Sequence, residues 1–75
     1  MPQPPASALS RIPGDYIASG SRGLPPADAG IPDQTIELDC GVWGRFRVRY
    51  KALKNHRGGR STYWFWAADH ADRLD

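Results

Sequence analysis

The stretch Arg45-Phe46-Arg47-Val48-Arg49-Tyr50-Lys51-Ala52 alternates charged and apolar residues without a fault over eight positions. Side chains of a β-strand point to opposite faces in turn, so this is the signature of a strand with one face on a core and one in water. The chain around it reads in the same way. Thr35-Ile36-Glu37-Leu38-Asp39-Cys40 alternates too, and Gly41-Val42-Trp43-Gly44 between the two runs reads as a turn. Downstream, Asn55 to Arg60 contains Gly58-Gly59, a pair able to take the positive φ of a tight hairpin. Ser61-Thr62-Tyr63-Trp64-Phe65-Trp66 is then a third strand, rich in aromatics that suit a pleated surface. Ala67 to Leu74 is expected to be a short helix, with Ala67, Ala71 and Leu74 on one face and Asp69 and Arg73 at i and i+4.

Residues 1–34 differ in character. They hold all seven prolines and four of the eight glycines, and their apolar residues Leu9, Ile12, Tyr16, Ile17, Leu24 and Ile31 show no clear period. Proline removes backbone donors and glycine raises the entropy cost of order. The expectation is a flexible, mostly disordered Pro/Gly-rich arm over 1–34, with Tyr16 and Ile17 the residues to pack onto a small β-sheet binding domain over 35–75. The fold class expected is small α+β: a three-stranded antiparallel meander with a short C-terminal helix, preceded by the arm.

Composition narrows function. Seventy-five residues hold at most one domain, and the single cysteine, Cys40, excludes an internal disulfide. No apolar run approaches the ~18 residues of a membrane span, and the N-terminus lacks the pattern of a signal peptide, so the expected location is cytoplasmic with no membrane partner. Cys40, His56 and His70 have no paired metal-ligand spacing, and so small a chain offers little room for a water-excluding pocket. No catalytic residue, metal or cofactor is expected, and the protein is not expected to be an enzyme.

Charge is segregated. Residues 45–61 carry Arg45, Arg47, Arg49, Lys51, Lys54, Arg57 and Arg60 and no acid, a charge of +7, whereas the remainder has three basic residues against eight acids, −5. If Gly58 and Gly59 are the two central residues of the hairpin, Leu53 lies opposite Trp64 and Lys51 opposite Trp66. One face then collects Arg45, Arg47, Arg49, Lys51, Leu53, Trp64 and Trp66. The other collects Phe46, Val48, Tyr50, Ala52, Tyr63 and Phe65 as core. In the first hairpin Ile36 and Leu38 join the core, which sets Asp39 opposite Arg45 and Glu37 opposite Arg47. Arginine, lysine and tryptophan on one surface suit phosphates and bases, and equally a protein hot spot. The expected nucleic-acid-binding residues are Arg47, Arg49, Lys51, Lys54, Arg57, Arg60, Trp64 and Trp66. The expected partner is nucleic acid, DNA ahead of RNA. The alternative is an acidic protein surface, taken by a small inhibitor or adaptor of the kind mobile genetic elements encode, as monomer or homodimer.

Trp43-Gly44-Arg45-Phe46, a charged strand, a basic glycine turn, the aromatic strand Tyr63-Trp64-Phe65 and an Ala/Asp-rich tail come in an order that resembles a known layout. It is similar to the three-stranded-sheet DNA-binding domains of plant ethylene-responsive factors and to phage integrase arm-binding domains. The resemblance covers residues 40–74 and implies a sheet lying in the major groove, with Arg47, Arg49 and Trp64 facing the bases. The first strand departs from it, carrying Glu37 and Asp39 where those families favour basic residues.

Overall fold

The computed structural model describes residues 6–57 and 61–75. Three antiparallel strands form one sheet in the order β1-β2-β3: β1 spans Gln34–Asp39, β2 Arg45–Arg57 and β3 Ser61–Arg73. The meander is therefore as expected, but the helix is not where the tail composition placed it. Residues 67–73 continue β3, and the one α-helix among the described residues, α1 (Gly14–Arg22), precedes the sheet. The correction has a simple cause. The half of β2 that pairs with β1 still has a second edge to satisfy, and residues 67–73 supply the ladder for it. Pairing along a whole strand outweighs the modest helix propensity of an Ala-rich octet.

The Pro/Gly-rich half is likewise not a disordered arm over its described length. Residues 6–33 form two 3-10 turns (Leu9–Arg11 and Ala27–Ala29) and α1, and they cover one side of the sheet. Helix α1 follows Pro13, carries Asp15 in its first turn and Arg22 in its last, and so suits the helix dipole at both ends. Ile12 is buried, and Ala8, Leu9, Tyr16, Ile17 and Leu24 pack around the same core, including the Tyr16 and Ile17 singled out from sequence. The segment also closes an edge: Ala8 N–H donates to the Ala71 carbonyl at 2.8 Å, and Ala71 N–H donates to Ser7 Oγ at 3.1 Å.

Cys40, Phe46, Val48, Tyr50 and Ala71 make up the fully buried centre. The Tyr50 hydroxyl reaches through it to donate to the Ile17 carbonyl of α1 at 2.7 Å. Here α1 crosses the sheet at Gly20, where an added Cβ would stand 2.6 Å from Tyr50 Oη. The β1–β2 turn is tight: Gly41 (φ 59) and Gly44 (φ 108) take conformations that side chains disfavour. Cys40 N–H donates to the Gly44 carbonyl, and Gly41 N–H to Asp39 Oδ1.

Register decides what each side carries. The first hairpin pairs Ile36 with Val48, Glu37 with Arg47, Leu38 with Phe46 and Asp39 with Arg45, as the alternation demands. The second hairpin departs from the expected pairing by one residue. Arg57 pairs with Ser61, which leaves three residues in the connection rather than two, so Lys54 lies opposite Trp64, Leu53 opposite Phe65 and Ala52 opposite Trp66. A one-residue slip moves every side chain of a strand to the other face. The expected grouping of Trp64 and Trp66 with the arginines is thereby reversed. Nearer the base of the hairpin a β-bulge intervenes, for Tyr50 pairs with Ala68 but Arg49 with His70, leaving Asp69 as the extra residue. The bulge restores Ala71 to the buried side opposite Val48.

Candidate functional site

The two sides of the sheet differ sharply. On the covered side, Trp66 packs against the core and its indole N–H donates to the Pro25 carbonyl at 2.7 Å. The Pro25-Pro26 segment is thus a fixed acceptor for the indole. Trp64, further out, stays 45% exposed. Lys54 Nζ lies 5.7 Å from the centre of its ring. A cleft of about 260 Å³ opens beside it, lined among others by Asp28, Ile31, Asp33 and Ala52.

The open side has no covering layer among the described residues, and it divides into two zones. The proximal zone is an ion-paired belt. Glu37 lies between Arg45 (3.7 Å) and Arg47 (3.5 Å). Asp69 accepts two hydrogen bonds from Arg49, at 2.9 and 3.1 Å, and lies 3.6 Å from Lys51 Nζ. His70 contacts Asp72 at 3.0 Å. The Arg49 hydrogen bond is the largest influence on Asp69 and holds its carboxyl below the ordinary carboxylate value, with the charges of Arg49 and Lys51 acting in the same direction. The same hydrogen bond holds the Arg49 guanidinium above its own ordinary value. Four cations (Arg45, Arg47, Arg49, Lys51) thus share the zone with four carboxylates (Glu37, Asp39, Asp69, Asp72).

The helix expected over Ala67 to Leu74 would have removed Asp69 from the sheet and left Arg49 and Lys51 without an acid to face. As a strand with a bulge, the tail brings that carboxylate to both.

The distal zone, beyond the belt, is apolar and aromatic. Leu53, Tyr63 and Phe65 are 44%, 45% and 37% exposed. The Tyr63 and Phe65 rings lie 5.9 Å apart and tilted by 44°, and Asn55 Nδ2 donates to Tyr63 Oη at 2.8 Å. Exposed aromatics at alternate positions of an uncovered sheet are an available contact surface.

Of the eight residues expected to bind nucleic acid, Arg47, Arg49 and Lys51 lie on the open side within the belt. Lys54, Trp64 and Trp66 lie on the covered side. For Arg57 only the backbone pairing with Ser61 is described, and Arg60 lies outside the described residues. The groove-facing trio implied by the resemblance is split, with Arg47 and Arg49 held by carboxylates and Trp64 on the other side. Sequence reasoning placed Leu53 on this face without naming it as a site residue, and it assigned Tyr63 and Phe65 to the core. One signal was available, because four consecutive aromatics, Tyr63 to Trp66, leave a pair exposed on one side whichever pair turns inward. The larger indoles gain more from burial, and Pro25 offers Trp66 a carbonyl.

Comparison with protein-family models, with curated proteins and with solved structures finds no match to this chain. No helix among the described residues is long and apolar enough to cross a membrane. Cys40 is fully buried, and burial first, then the Asp39 carboxylate, pushes its thiol up from its ordinary value. Such a thiol is neutral and shielded, the opposite of an activated nucleophile.

Proposed function

We propose that this protein is a non-enzymatic nucleic-acid-binding accessory protein whose contact surface is the distal half of the β2–β3 hairpin. One observation carries the reading. From Cys40 to Ala68 the chain contains no carboxylate, and its distal part, 53–67, bordered by Lys51 of the belt, holds Lys54, Arg57 and Arg60 together with Leu53, Tyr63, Trp64 and Phe65. A hairpin carrying cations and exposed rings has what a polyanion with flat, stackable bases requires. The belt arginines serve a different end, since Glu37 and Asp69 already neutralise much of their charge and fix the register.

Binding of the full chain to labelled oligonucleotides across a salt series tests this. With about four phosphate contacts, log affinity falls with log salt at a slope of roughly −3 to −4. No binding at low salt, or a response indifferent to salt, ends the proposal.

A second reading draws on the same surface. Leu53, Tyr63 and Phe65 beside an ion-paired belt have the apolar centre and charged rim of a protein-binding site. On that reading the protein is an inhibitor or adaptor, nucleic acid competes poorly for the surface, and Phe65→Ala removes partner binding. Binding to a second copy is one form of it, which sedimentation tests directly.

A further inference from the structure

We infer that the nucleic acid accepted by the distal open face is single-stranded, with successive bases stacked on Tyr63 and Phe65. The inference rests on the nucleic-acid reading above and names the class of ligand within it.

A duplex is read by donors that reach base edges in a groove while two rows of phosphates run alongside. The open face is poorly built for that. Its distal zone presents Leu53, Tyr63 and Phe65, and Asn55 donates one of its amide N–H groups to the Tyr63 hydroxyl. Arg47 and Arg49, the groove-reading positions of the layout this chain resembles, are engaged by Glu37 and Asp69. A duplex lying along the sheet would also press phosphates onto Glu37, Asp39, Asp69 and Asp72. Like charges brought together in this way oppose binding, and most strongly at low salt.

A single strand avoids both problems. Its bases are unpaired and turn outward, and each exposes a face that an aromatic ring can meet. Tyr63 and Phe65, two residues apart on one strand with ring centres 5.9 Å apart, offer two adjoining platforms. Leu53, directly opposite Phe65, extends the apolar floor across to β2. Lys51 borders this floor on the same side, and Lys54, next in the chain to Leu53, adds charge at its margin. A flexible backbone can pass over these lysines and leave the sheet at Lys51 and Asp69, without lying along Glu37, Asp39 and Asp72. The chemistry is common to DNA and RNA, because stacking uses the base and not the sugar.

The test uses the full chain with fluorescent oligothymidine, oligouridine and a DNA duplex of the same length, at low salt. Single strands are expected to bind about tenfold or more tightly than the duplex, and the ratio between the two single strands names the sugar preferred. Tyr63→Ser and Phe65→Ser each weaken single-strand binding about fivefold to a hundredfold, the range for loss of one stacked base. Phe65→Leu, which keeps apolar bulk and so the fold, weakens it in the same direction. Val42→Ser, in the exposed β1–β2 turn away from this hairpin, leaves it within about twofold. Asp69→Asn, which frees Arg49 and Lys51, strengthens it. Circular dichroism of each variant confirms that the sheet is intact. A duplex that binds as tightly as the single strands, or ring variants that bind normally, overturns the inference while leaving the proposed function standing. Absence of binding to all three ligands overturns both.

Discussion

The assignment of an open and a covered side depends on α1 lying where it does, and Gly20→Ala probes that contact directly. A methyl at residue 20 would stand 2.6 Å from Tyr50 Oη, 2.9 Å from Leu38 Cδ2 and 3.0 Å from Ile36 Cδ1. The two aliphatic tips can swing aside at little cost. The tyrosine cannot, because its ring is fully buried and its hydroxyl is tied to the Ile17 carbonyl. Overpacking of this kind costs about 1–3 kcal/mol, and alanine's better helix propensity returns about 1 kcal/mol. The net loss is therefore about 0–2 kcal/mol, or up to roughly 16 °C in Tm for a domain of this size. Tyr50→Phe alone forfeits one hydrogen bond, about 1 kcal/mol. It also removes the atom that the new methyl strikes. The double variant Gly20→Ala/Tyr50→Phe should accordingly be only slightly less stable than Tyr50→Phe, a coupling of about 1–2 kcal/mol in a double-mutant cycle measured by urea unfolding. If the two losses add to within about 0.5 kcal/mol, or if Gly20→Ala stabilises the protein, α1 does not press on Tyr50 and the covered side is wrongly assigned.

Three further perturbations follow from the same geometry. Trp66→Phe loses the hydrogen bond to Pro25 and some burial, about 1–2 kcal/mol, whereas Trp64→Phe costs under about 0.5 kcal/mol; equal losses in thermal melts would contradict the register of β3. Asp69 has a carboxyl held below its ordinary 3.8, so its contribution is complete above that value and fades as pH falls through the lower value of the folded state. The stability advantage of the wild type over Asp69→Asn is thus flat from neutrality to about pH 5 and shrinks below about pH 4; an advantage that grows with acidity contradicts the pairing with Arg49. Cys40 and Tyr50 have raised values and are neutral in the fold, so their contribution is complete below the ordinary values of 9.0 and 10.0 and is lost as pH rises further. Thiol labelling of the native protein at pH 8 should be limited by opening of the structure, and a rate equal to that of a free cysteine would refute the burial of Cys40.

The parts of this fold legible in the sequence are those with a local signal that only one arrangement satisfies. The eight-residue alternation of β2 and the pairing of Glu37 with Arg47 belong here, because a one-residue slip of β1 would put Ile36 and Leu38 among arginines. The second hairpin lacked that discrimination. Gly58-Gly59 suits connections of two or three residues, and Tyr63 to Trp66 is aromatic on both sides, so neither loop nor strand excludes the neighbouring register. The bulge at Asp69 has no signature in composition, and the Ala-rich tail satisfies a helical pattern as readily as a strand paired along β2. In the N-terminal half, Ile12, Tyr16, Ile17 and Leu24 show no period because they come from short turns and a nine-residue helix. Each is ordered by a sheet that lies later in the chain rather than by its neighbours. The candidate site inherits this pattern: its cations were visible, but which aromatic pair stood outside was decided by the length of one loop.

Asp69 has a consequence beyond its ion pairs. Every other residue from Ala67 to Arg73 has an opposite number on β2, and Asp69 has none. Losing Asp69 alone would leave Tyr50 with Ala68, Arg49 with His70 and Val48 with Ala71, in a plain, unkinked ladder. The same loss would also strip the counter-charge from Arg49 and Lys51. Shape and surface potential are therefore adjustable together at a single codon, and a natural or engineered deletion there would leave the belt with four cations against three carboxylates and the sheet's interior intact.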